Sequence, residues 1–382
     1  MDTSIDRADV DDSLLDRTLA TIRRAVLRLG QAGTLTGFVV LHSLAGGTGS
    51  GFGSRLVTSL RDIYGGKRYI LSVAILPFFQ GSADVVVQHY NVALALAQLQ
   101  ASADAVLLFS NDAVARTLSG GAEAATRKGA ATASYSLEEL NAAIARTLAG
   151  LMLPVTVAWD AERAHDELGL SLTPDQVVAR VPFDLGALVT AVAPSPNRKI
   201  LHAHSSAAAP VGRGTTGKRS RGHAALAVAS DQWSLQTWEG VAKRLERGLP
   251  RYGPIRTEEA IETEAAMLYV GGDTDGAWLA GDDAAALDRL DRRLSHGCEL
   301  DVCVSRGTGL GAVGHARSLT LVTNDSSVAD EVGHVLNRGR RLLEVGAYVH
   351  HYTRFGLAED DLVTAFETLE CIVDDYSATV FF

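Results

Sequence analysis

Residues 41–52 read LHSLAGGTGSGF, a glycine-rich turn that decides how the chain around it folds. An apolar run at 37–43 precedes the turn and has the length of a buried strand. The segment from 52 to about 64 follows with the apolar spacing of a helix, and the pair Gly65 and Gly66 marks its end. The turn is therefore predicted to join a strand to the N-terminus of a helix.

A turn of this kind suits a phosphate group. Phosphate oxygens need several backbone N–H donors that converge on them, and glycine leaves room for that approach because it has no Cβ. The N-terminus of the following helix adds the positive end of its dipole. Four glycines and two hydroxyl side chains are the candidate donors: Gly46, Gly47, Gly49, Gly51, Thr48 and Ser50. A glycine-rich turn with a purely structural role is the alternative.

The turn matches neither of the two common nucleotide-binding patterns. It is not a P-loop, because no Gly-Lys-Ser or Gly-Lys-Thr sequence follows it. It also fails the GxGxxG spacing, because Phe52 stands where the last glycine belongs. A nucleotide site built on this turn must belong to another class.

Further apolar runs predict that the first strand is part of a parallel sheet. Residues 69–76 and 105–110 have the pattern of two more buried strands, and a helix-like segment at 84–99 lies between them. Strands that alternate with helices indicate an α/β fold with a parallel sheet.

Helices are predicted on both sides of these strands. Apolar residues recur at helical spacing from a cap at Ser13 to Gly30. Ser136, with Glu139 three residues later, forms a capping box for another helix, which has one apolar face.

The C-terminal half contains a basic loop and two helical segments. Residues 203–225 are rich in small residues and carry four positive side chains, Arg213, Lys218, Arg219 and Arg221. Asn324 is the predicted N-cap of a largely helical segment that continues to 349. An amphipathic helix is expected at 358–376.

The composition excludes several classes of protein. The 382 residues are 47% apolar and 21% charged, close to the average of globular proteins, and the length fits two domains with an appendage. A net charge of −10 argues against nucleic acid as a partner. The longest nearly apolar stretch, 69–79, is too short to cross a bilayer, and no signal sequence opens the chain, so no membrane is expected as a partner. The three cysteines lack the spacing of a zinc site.

Two segments around the turn resemble the tubulin family. The sequence SLAGGTGSG at 43–51 is similar to the tubulin signature loop, with Ala45 in place of the first glycine, as in the delta branch of the family. The sequence DVVVQHYN at 84–91 resembles the turn and helix that contact ribose, and Gln88 replaces an acid there, again as in the delta branch.

Three later segments extend this resemblance. Residues 110–112 and 140–141 resemble the two segments whose asparagines bind guanine in tubulins. The sequence AYVHHYTRFG at 347–356 is the match that is most specific to the delta branch. Several segments in the same order are more specific than one glycine turn.

The resemblance implies a site for GTP or GDP. Phosphate contacts are expected from Ser43, Ala45, Gly46, Gly47, Thr48, Gly49, Ser50 and Gly51, ribose contacts from Asp84 and Gln88, and guanine contacts from Asn111, Leu137 and Asn141. An amide side chain both donates and accepts, which suits the edge of guanine. Simpler roles stay open: a helix cap for Asp84, a turn for Asn111 and a solvated helix face for Asn141. No catalytic residue and no metal ligand is predicted.

The resemblance also implies an architecture and a cellular role. It predicts a tubulin-type GTP-binding domain at 1–201 without its first strand and helices, a smaller α+β intermediate domain at 202–340, and a C-terminal helical segment at 341–382. The expected protein is a structural subunit of the cytoplasmic cytoskeleton. Its expected partners are other tubulins or components of microtubules and centrioles, at centrioles and basal bodies.

Departures from the family pattern limit the expected chemistry. The loops that help tubulins hold Mg²⁺ and the γ-phosphate have no counterpart in this sequence. Leu137 stands where an aromatic residue stacks on guanine, and Ala187, near Asp184, stands where α-type chains carry a catalytic glutamate. Alanine cannot activate water, so this chain is expected not to activate the GTPase of a neighbouring subunit by the α-tubulin route. Any hydrolysis of its own GTP is expected to be weak and to depend on a neighbouring subunit.

Two other functions stay open. One is a Rossmann-like dehydrogenase or kinase, although no acid follows about twenty residues beyond the turn and no P-loop lysine is present. The other is a truncated tubulin fragment that binds no nucleotide.

Overall fold

The described residues of the computed structural model form one large sheet with helices on both faces. They are residues 5–30, 35–79, 85–118, 135–153, 155–158, 178–181, 183–207, 237–249, 262–272, 290, 300–304 and 317–377.

The described strands number nine. They are β1 (Gly37–Ser43), β2 (Tyr69–Leu76), β3 (Ala105–Ser110), β4 (Val155–Ala158), β5 (Val178–Val181), β6 (Ile200–Ala207), β7 (Thr263–Gly272), β8 (Leu300–Val304) and β9 (Arg317–Asp325).

The main helices lie between and after these strands. They are α1 (Ile5–Gly30), α2 (Gly53–Tyr64), α3 (Gln88–Ser102), α4 (Asn111–Leu118), α5 (Leu137–Met152), α6 (Leu185–Val192), α7 (Trp238–Gly248), α8 (Ser327–Glu344), α9 (His350–Thr353) and α10 (Glu359–Ser377). A π-helical turn at Thr48–Phe52 leads into α2.

Seven strands form one sheet in the order β1-β2-β3-β6-β9-β7-β8, and β4 pairs with β5 separately. β1, β2, β3 and β6 are parallel, whereas β9 runs antiparallel to both β6 and β7. The α/β fold with a parallel sheet at the predicted glycine turn is therefore confirmed.

Both faces of β2 and β3 are buried, as is usual in parallel sheets, whereas the edge strand β1 exposes Val39 and Leu41 on one face. On β2, Ile70 and Ala74 face a core formed with α2, α3, α8 and α10. Leu71 and Val73 alternate with them and face a second core, formed with α5 and α6. Every residue of β3 is buried. The result is a three-layer arrangement in which the sheet lies between two groups of helices.

The bounds of the first three strands match the sequence prediction because each is a short apolar run closed by turn residues. The prediction that a helix begins at Ser13 was wrong, since α1 already begins at Ile5. Residues 5–12 contain four aspartates, which the helix dipole favours near an N-terminus even without an apolar pattern, so the pattern placed the start too late.

The prediction of Asn324 as a helix cap was also wrong. Asn324 is fully buried in β9, where its side-chain Nδ2 donates to the carbonyl oxygens of Val192 at 2.9 Å and Arg198 at 2.8 Å. The helix begins later, with Ser326 as N-cap of α8. An asparagine side chain that satisfies the backbone of a neighbouring segment has no signature in local sequence.

The prediction of a basic loop at 203–225 was wrong for residues 203–207, which continue β6 and pair with β9. Residues 208–225, including Arg213, Lys218, Arg219 and Arg221, lie outside the described residues. The predicted boundary between 201 and 202 falls inside β6, and the division into three domains stays a prediction. No helix among the described residues is long and apolar enough to cross a membrane.

A buried ionic cluster joins β6, β9 and α8. The imidazole of His202 lies 3.5 Å from Asp325 and 3.3 Å from Glu331. Burial alone would lower the pKa of His202, but the Glu331 carboxylate and the hydrogen bond with Asp325 outweigh it and raise the pKa to about 10. Asp325 also accepts hydrogen bonds from Thr323 Oγ1 at 2.6 Å and from Ser327. The histidine is therefore a buried cation at neutral pH.

We expect this cluster to make the protein sensitive to alkali. The unfolded pKa of histidine is about 6.5, so the stabilisation is fully present below that pH and is lost as the pH rises towards 10. His202→Gln should lower the free energy of unfolding at pH 7 by about 3 kcal/mol, because it leaves the buried carboxylate of Asp325 and the partly buried carboxylate of Glu331 without a cation. The substitution should also reduce the change in the free energy of unfolding between pH 7 and pH 10.

Urea denaturation across this pH range measures both effects, with the exposed His351→Gln as the matched control. Equal pH profiles for the wild type and His202→Gln would contradict the assignment of a buried imidazolium.

Candidate functional site

Two of the predicted site segments, the glycine turn and Asn111, directly follow the carboxyl ends of parallel strands. The glycine turn follows β1, and Asn111 follows β3 directly as the first residue of α4. Between them, β2 ends at Leu76 and is followed by Pro77, Phe78 and Phe79. Because the carboxyl ends of parallel strands meet at one edge of the sheet, these segments share the edge where open α/β sheets bind ligands.

The glycine turn is helical from its middle onward. Leu44 is fully buried, and its N–H donates to the carbonyl oxygen of Ile75 at 2.9 Å, which extends the ladder between β1 and β2 by one bond. Gly47 already has helical dihedral angles, with φ −60° and ψ −42°. The helical region therefore starts about five residues earlier than predicted from Phe52, and its first N–H groups belong to the glycine turn itself.

The carbonyl oxygens at the start of the turn are held by protein donors. The side-chain Nδ2 of Asn91, on α3, donates to the Ala45 carbonyl at 2.8 Å. Ser50 donates to the Gly46 carbonyl twice, from its N–H at 3.0 Å and from its hydroxyl at 2.7 Å. These bonds direct the negative ends of two peptide dipoles towards the protein.

His42 forms a hydrogen bond with a third carbonyl oxygen of the turn, that of Gly49. Its Nδ1 lies 2.7 Å from the Gly49 carbonyl, which can only accept, so Nδ1 carries a proton. In the neutral ring Nε2 then accepts from the Ser72 hydroxyl on β2, at 2.9 Å. Burial lowers the pKa of His42, although the bond to Gly49 acts in the opposite direction. A neutral imidazole thus links the first two strands to the turn.

The glycines of this region divide into two groups. A Cβ on Gly49 would lie 2.0 Å from the Ser43 carbonyl oxygen, and one on Gly53 would lie 2.5 Å from Nδ1 of His42. The fold itself requires glycine at these two positions. A Cβ on Gly46, Gly47 or Gly51 would meet none of the described atoms within 4 Å. The backbone at these three positions faces open space, as a phosphate cradle needs.

The remaining residues predicted to contact phosphate and ribose differ in how far they are exposed. Ser43 and Thr48 are exposed, and the Ser43 hydroxyl accepts from the N–H of Ala45 at 3.3 Å. Gln88 is almost fully buried at the start of α3, where its Nε2 donates to the Phe78 carbonyl at 3.1 Å. Only the oxygen of that amide can accept from a ribose hydroxyl. Asp84 lies outside the described residues.

The three residues predicted to contact guanine lie on α4 and α5, which pack against each other. Asn111 is half-buried and Asn141 is exposed. Leu137, the first residue of α5, has 59% of its surface exposed. The predicted capping box at the start of α5 is confirmed, since Ser136 and Glu139 bond each other's backbone N–H.

Asp184 has a local structural role. Its carboxylate caps α6 by accepting from the N–H groups of Gly186 at 2.9 Å and Ala187 at 3.2 Å. Ala187 is exposed and offers no group that could activate water. Among the described residues, no three His, Cys, Asp or Glu side chains are grouped as a metal site.

Three residues that organise the turn were not predicted from the sequence: His42, Asn91 and Tyr352. Asn91 and Tyr352 lie in segments that the resemblance had singled out, but their contacts join positions far apart in the chain. His42 lies on the buried face of β1, where a polar residue in an otherwise apolar strand was the only available signal.

A histidine pair lies beside the start of α3. The ring of Phe79 stacks on His89 with centroids 5.5 Å apart and also contacts His334 on α8, at 5.0 Å. Burial, followed by the charges of His334 and Arg338, lowers the pKa of His89 to about 4. Nδ1 of His89 and Nε2 of His334 are buried without a hydrogen-bond partner among the described atoms. Both rings are therefore neutral at pH 7.

Comparison with known proteins identifies relatives over most of the chain. Residues 6–119 match the family described as Tubulin/FtsZ family, GTPase domain. The tubulin delta chain of Mus musculus is 24% identical over 383 residues, covering 90% of this chain and 70% of the relative. That of Canis lupus familiaris is 25% identical over 370 residues with the same coverage. A tubulin gamma chain of Candida albicans is 43% identical over 82 residues, 22% of this chain and 16% of the relative. The predicted resemblance is confirmed.

The two groups of glycines predict opposite effects on stability. Gly49→Ala should lower the free energy of unfolding by about 3 kcal/mol, because its Cβ would overlap the end of β1. Gly47→Ala should be neutral or stabilising by about 0.5 to 1 kcal/mol, because the site is open and helical. Thermal and urea denaturation of both variants measure the difference. A Gly47→Ala variant as unstable as Gly49→Ala would show that the open space is filled.

The histidine pair predicts sensitivity to acid. The pKa of His89 lies near 4 in the folded chain and near 6.5 in the unfolded chain, so stability should fall as the pH decreases between these values. His89→Phe keeps the stack on Phe79 and removes the titrating group, which should reduce that loss by on the order of 1 kcal/mol after solvent screening. Urea denaturation at pH 7 and pH 4.5 measures this loss of stability in the wild type and the variant, and His350→Phe, at an exposed position, is the control.

Proposed function

We propose that this chain, in which residues 6–119 match the Tubulin/FtsZ family of GTPase domains, is a tubulin-like cytoskeletal protein that binds a guanine nucleotide at the carboxyl edge of β1, β2 and β3. The observation that carries the proposal is the open glycine turn. Its carbonyl oxygens are bonded to protein donors, and a Cβ on Gly46, Gly47 or Gly51 would enter empty space.

The electrostatics of the turn support phosphate as the group bound there. The first N–H groups of a helix have no carbonyl partner within that helix, and the helix dipole places positive charge at the same end. Asn91 and His42 keep the Ala45 and Gly49 carbonyls turned away, so that an approaching anion meets donors and not acceptors. Ser43 and Thr48 are the hydroxyl donors of the proposed phosphate site. The hydroxyl of Ser50 already donates to the Gly46 carbonyl, so Ser50 is assigned to holding the shape of the turn.

The proposed base contacts are made by Asn111 and Asn141, and Leu137 provides an apolar surface for the ring. An amide can pair with the donor and acceptor edge of guanine, and exposure of Leu137 leaves it available for contact. Ribose is assigned to Asp84 and to the oxygen of Gln88. GTP or GDP is therefore the proposed ligand, and Asn111 is its main discriminator against adenine.

Similarity to tubulin delta chains supports a finer proposal about partners and place. We propose that the chain assembles with other tubulins or with microtubule components, at centrioles and basal bodies. Any hydrolysis of GTP bound to this chain is proposed to be weak and to depend on a neighbouring subunit. The chain is proposed not to activate the GTPase of a neighbour, because Ala187 has no acidic or basic group and Asp184 already caps a helix.

A Rossmann-like enzyme is the competing proposal, and the described residues argue against it. The end of β2 is followed by Pro77, Phe78 and Phe79, where a dinucleotide-binding fold has the acid that binds ribose.

Direct binding of fluorescent nucleotides tests the proposed function. We expect the purified chain to bind a fluorescent GTP or GDP analogue and to bind the ATP and NAD analogues at least tenfold more weakly. Gly47→Ala should weaken guanine-nucleotide binding about tenfold or more without loss of stability, because the added methyl group occupies space proposed for the phosphate. Asn111→Ala should reduce the preference for guanine over adenine.

The matched control is Arg146→Ala, an exposed change on α5 that lies away from Asn141 and should leave affinity unchanged. Preferential binding of NAD or ATP would favour the enzyme, and absence of binding to all nucleotides would favour a fragment without a functional site.

A further inference from the structure

A hydrogen-bonded relay connects the glycine turn to a segment more than 250 residues away. The hydroxyl of Tyr352 donates to Oδ1 of Asn91 at 2.6 Å. The Nδ2 of the same amide donates to the Ala45 carbonyl at 2.8 Å. Three residues from three elements, the turn, α3 and α9, are thus joined in a single line.

The direction of the relay is fixed by chemistry. A phenol hydroxyl has one proton, and the carbonyl of Ala45 can only accept, so the oxygen of Asn91 must face Tyr352 and its nitrogen must face the turn. Burial, followed by the proximity of Tyr90, raises the pKa of Tyr352, which keeps its hydroxyl protonated as the donor. Asn91 is 9% exposed, so water competes weakly for these bonds.

Tyr352 also lies in a segment with few other anchors. After α8, Gly346 and Tyr348 adopt positive φ angles of 62° and 61°, and the chain then forms the short helix α9. Val345 and Phe355 are 76% and 67% exposed, whereas Val349 is buried against the core. The position of residues 345–356 therefore depends on a small number of contacts, and two of them involve tyrosines.

The hydroxyl groups of Tyr90 and Tyr352 bond to different parts of the chain. The ring of Tyr90 packs edge-on against Tyr352, with centroids 5.6 Å apart, and its hydroxyl donates to the Ala347 carbonyl at 3.0 Å. That bond holds the segment to α3 but does not reach the glycine turn. The hydroxyl of Tyr352 reaches the turn through Asn91. Replacing either tyrosine with phenylalanine removes its hydroxyl hydrogen bond and keeps its ring.

We propose that Asn91 and Tyr352 are positioning residues. They couple the binding of phosphate at the glycine turn to the packing of residues 345–356 against α3, which is called the seated state of this segment. The proposal rests on the proposed function for the nucleotide itself. If the Ala45 carbonyl lost its donor, the peptide could rotate and direct a partial negative charge at the phosphate. Phosphate binding therefore favours the bonded arrangement of the relay, and by linkage it also favours the seated segment.

Hydrogen exchange of the whole chain, with and without GDP, tests the coupling. In the wild type GDP should slow exchange in residues 44–50 and also in residues 345–356. In Tyr352→Phe the affinity for GDP should fall about fivefold, as for the loss of one neutral hydrogen bond. The slowing in 345–356 should disappear in that variant. Tyr90→Phe is the matched control, and it should keep both the affinity and the response of the distant segment.

Two results would overturn the coupling: equal behaviour of Tyr352→Phe and Tyr90→Phe, or no response of residues 345–356 in the wild type while GDP binds. If the wild type binds no nucleotide, the proposed function fails, and the relay is tested alone. Exchange in residues 44–50 of the free protein should then be faster in Tyr352→Phe than in Tyr90→Phe, and equal rates would refute the relay.

A second variant covers the case in which Tyr352→Phe does not fold. Asn91→Asp keeps an acceptor for Tyr352 and removes the donor to the Ala45 carbonyl, at nearly the same side-chain volume. Because its carboxylate also repels phosphate, it should lower GDP affinity by more than Tyr352→Phe does. Exchange in residues 44–50 of the free protein should be faster than in the wild type. A wild-type response in Asn91→Asp would exclude the relay as the route between the two segments.

Discussion

An anion can approach the turn between β1 and α2 only while the carbonyl oxygens of that turn are bonded elsewhere. A peptide group presents a positive N–H and a negative carbonyl on opposite sides, so its orientation decides whether the turn attracts or repels phosphate. In this chain Asn91 holds the Ala45 carbonyl and His42 holds that of Gly49. The donors come from α3 and β1, so the electrostatic character of the turn depends on how these elements pack.

That packing follows from the parallel sheet. β1, β2 and β3 bring their carboxyl ends to one edge, and burial of both faces of β2 and β3 fixes the register between them. His42 points to the buried face of β1 and meets Ser72 on β2 because their strands are adjacent and in register within two residues. A slip by one residue would turn His42 to the opposite face and release the Gly49 carbonyl. The site is therefore a consequence of sheet register as well as of the glycine sequence.

The sequence predicted the parts of this structure that depend on local patterns. The bounds of β1, β2 and β3 and the capping box at Ser136 follow from apolar runs and turn residues within a few positions. It failed where a polar side chain serves a distant segment, as Asn324 does for the Val192 carbonyl. The same limit hid the bond between Asn91 and Tyr352, since residue periodicity contains no information on pairs 261 positions apart. The predicted assignments of Asn111, Asn141 and Gln88 to a nucleotide stay predictions.

The glycines of the turn separate what the fold needs from what a ligand needs. Gly49 and Gly53 have a structural reason, because a Cβ would collide with the end of β1 or with His42. Gly47 has no such reason among the described atoms: its angles are helical and none of those atoms lies within 4 Å of an added Cβ, so alanine would fit and would favour the helix by about 0.5 to 1 kcal/mol. A local choice that costs stability without improving packing is expected where another molecule must come close to the backbone. The purely structural reading of the turn therefore accounts for Gly49 and Gly53 and leaves Gly47 to be explained by a ligand.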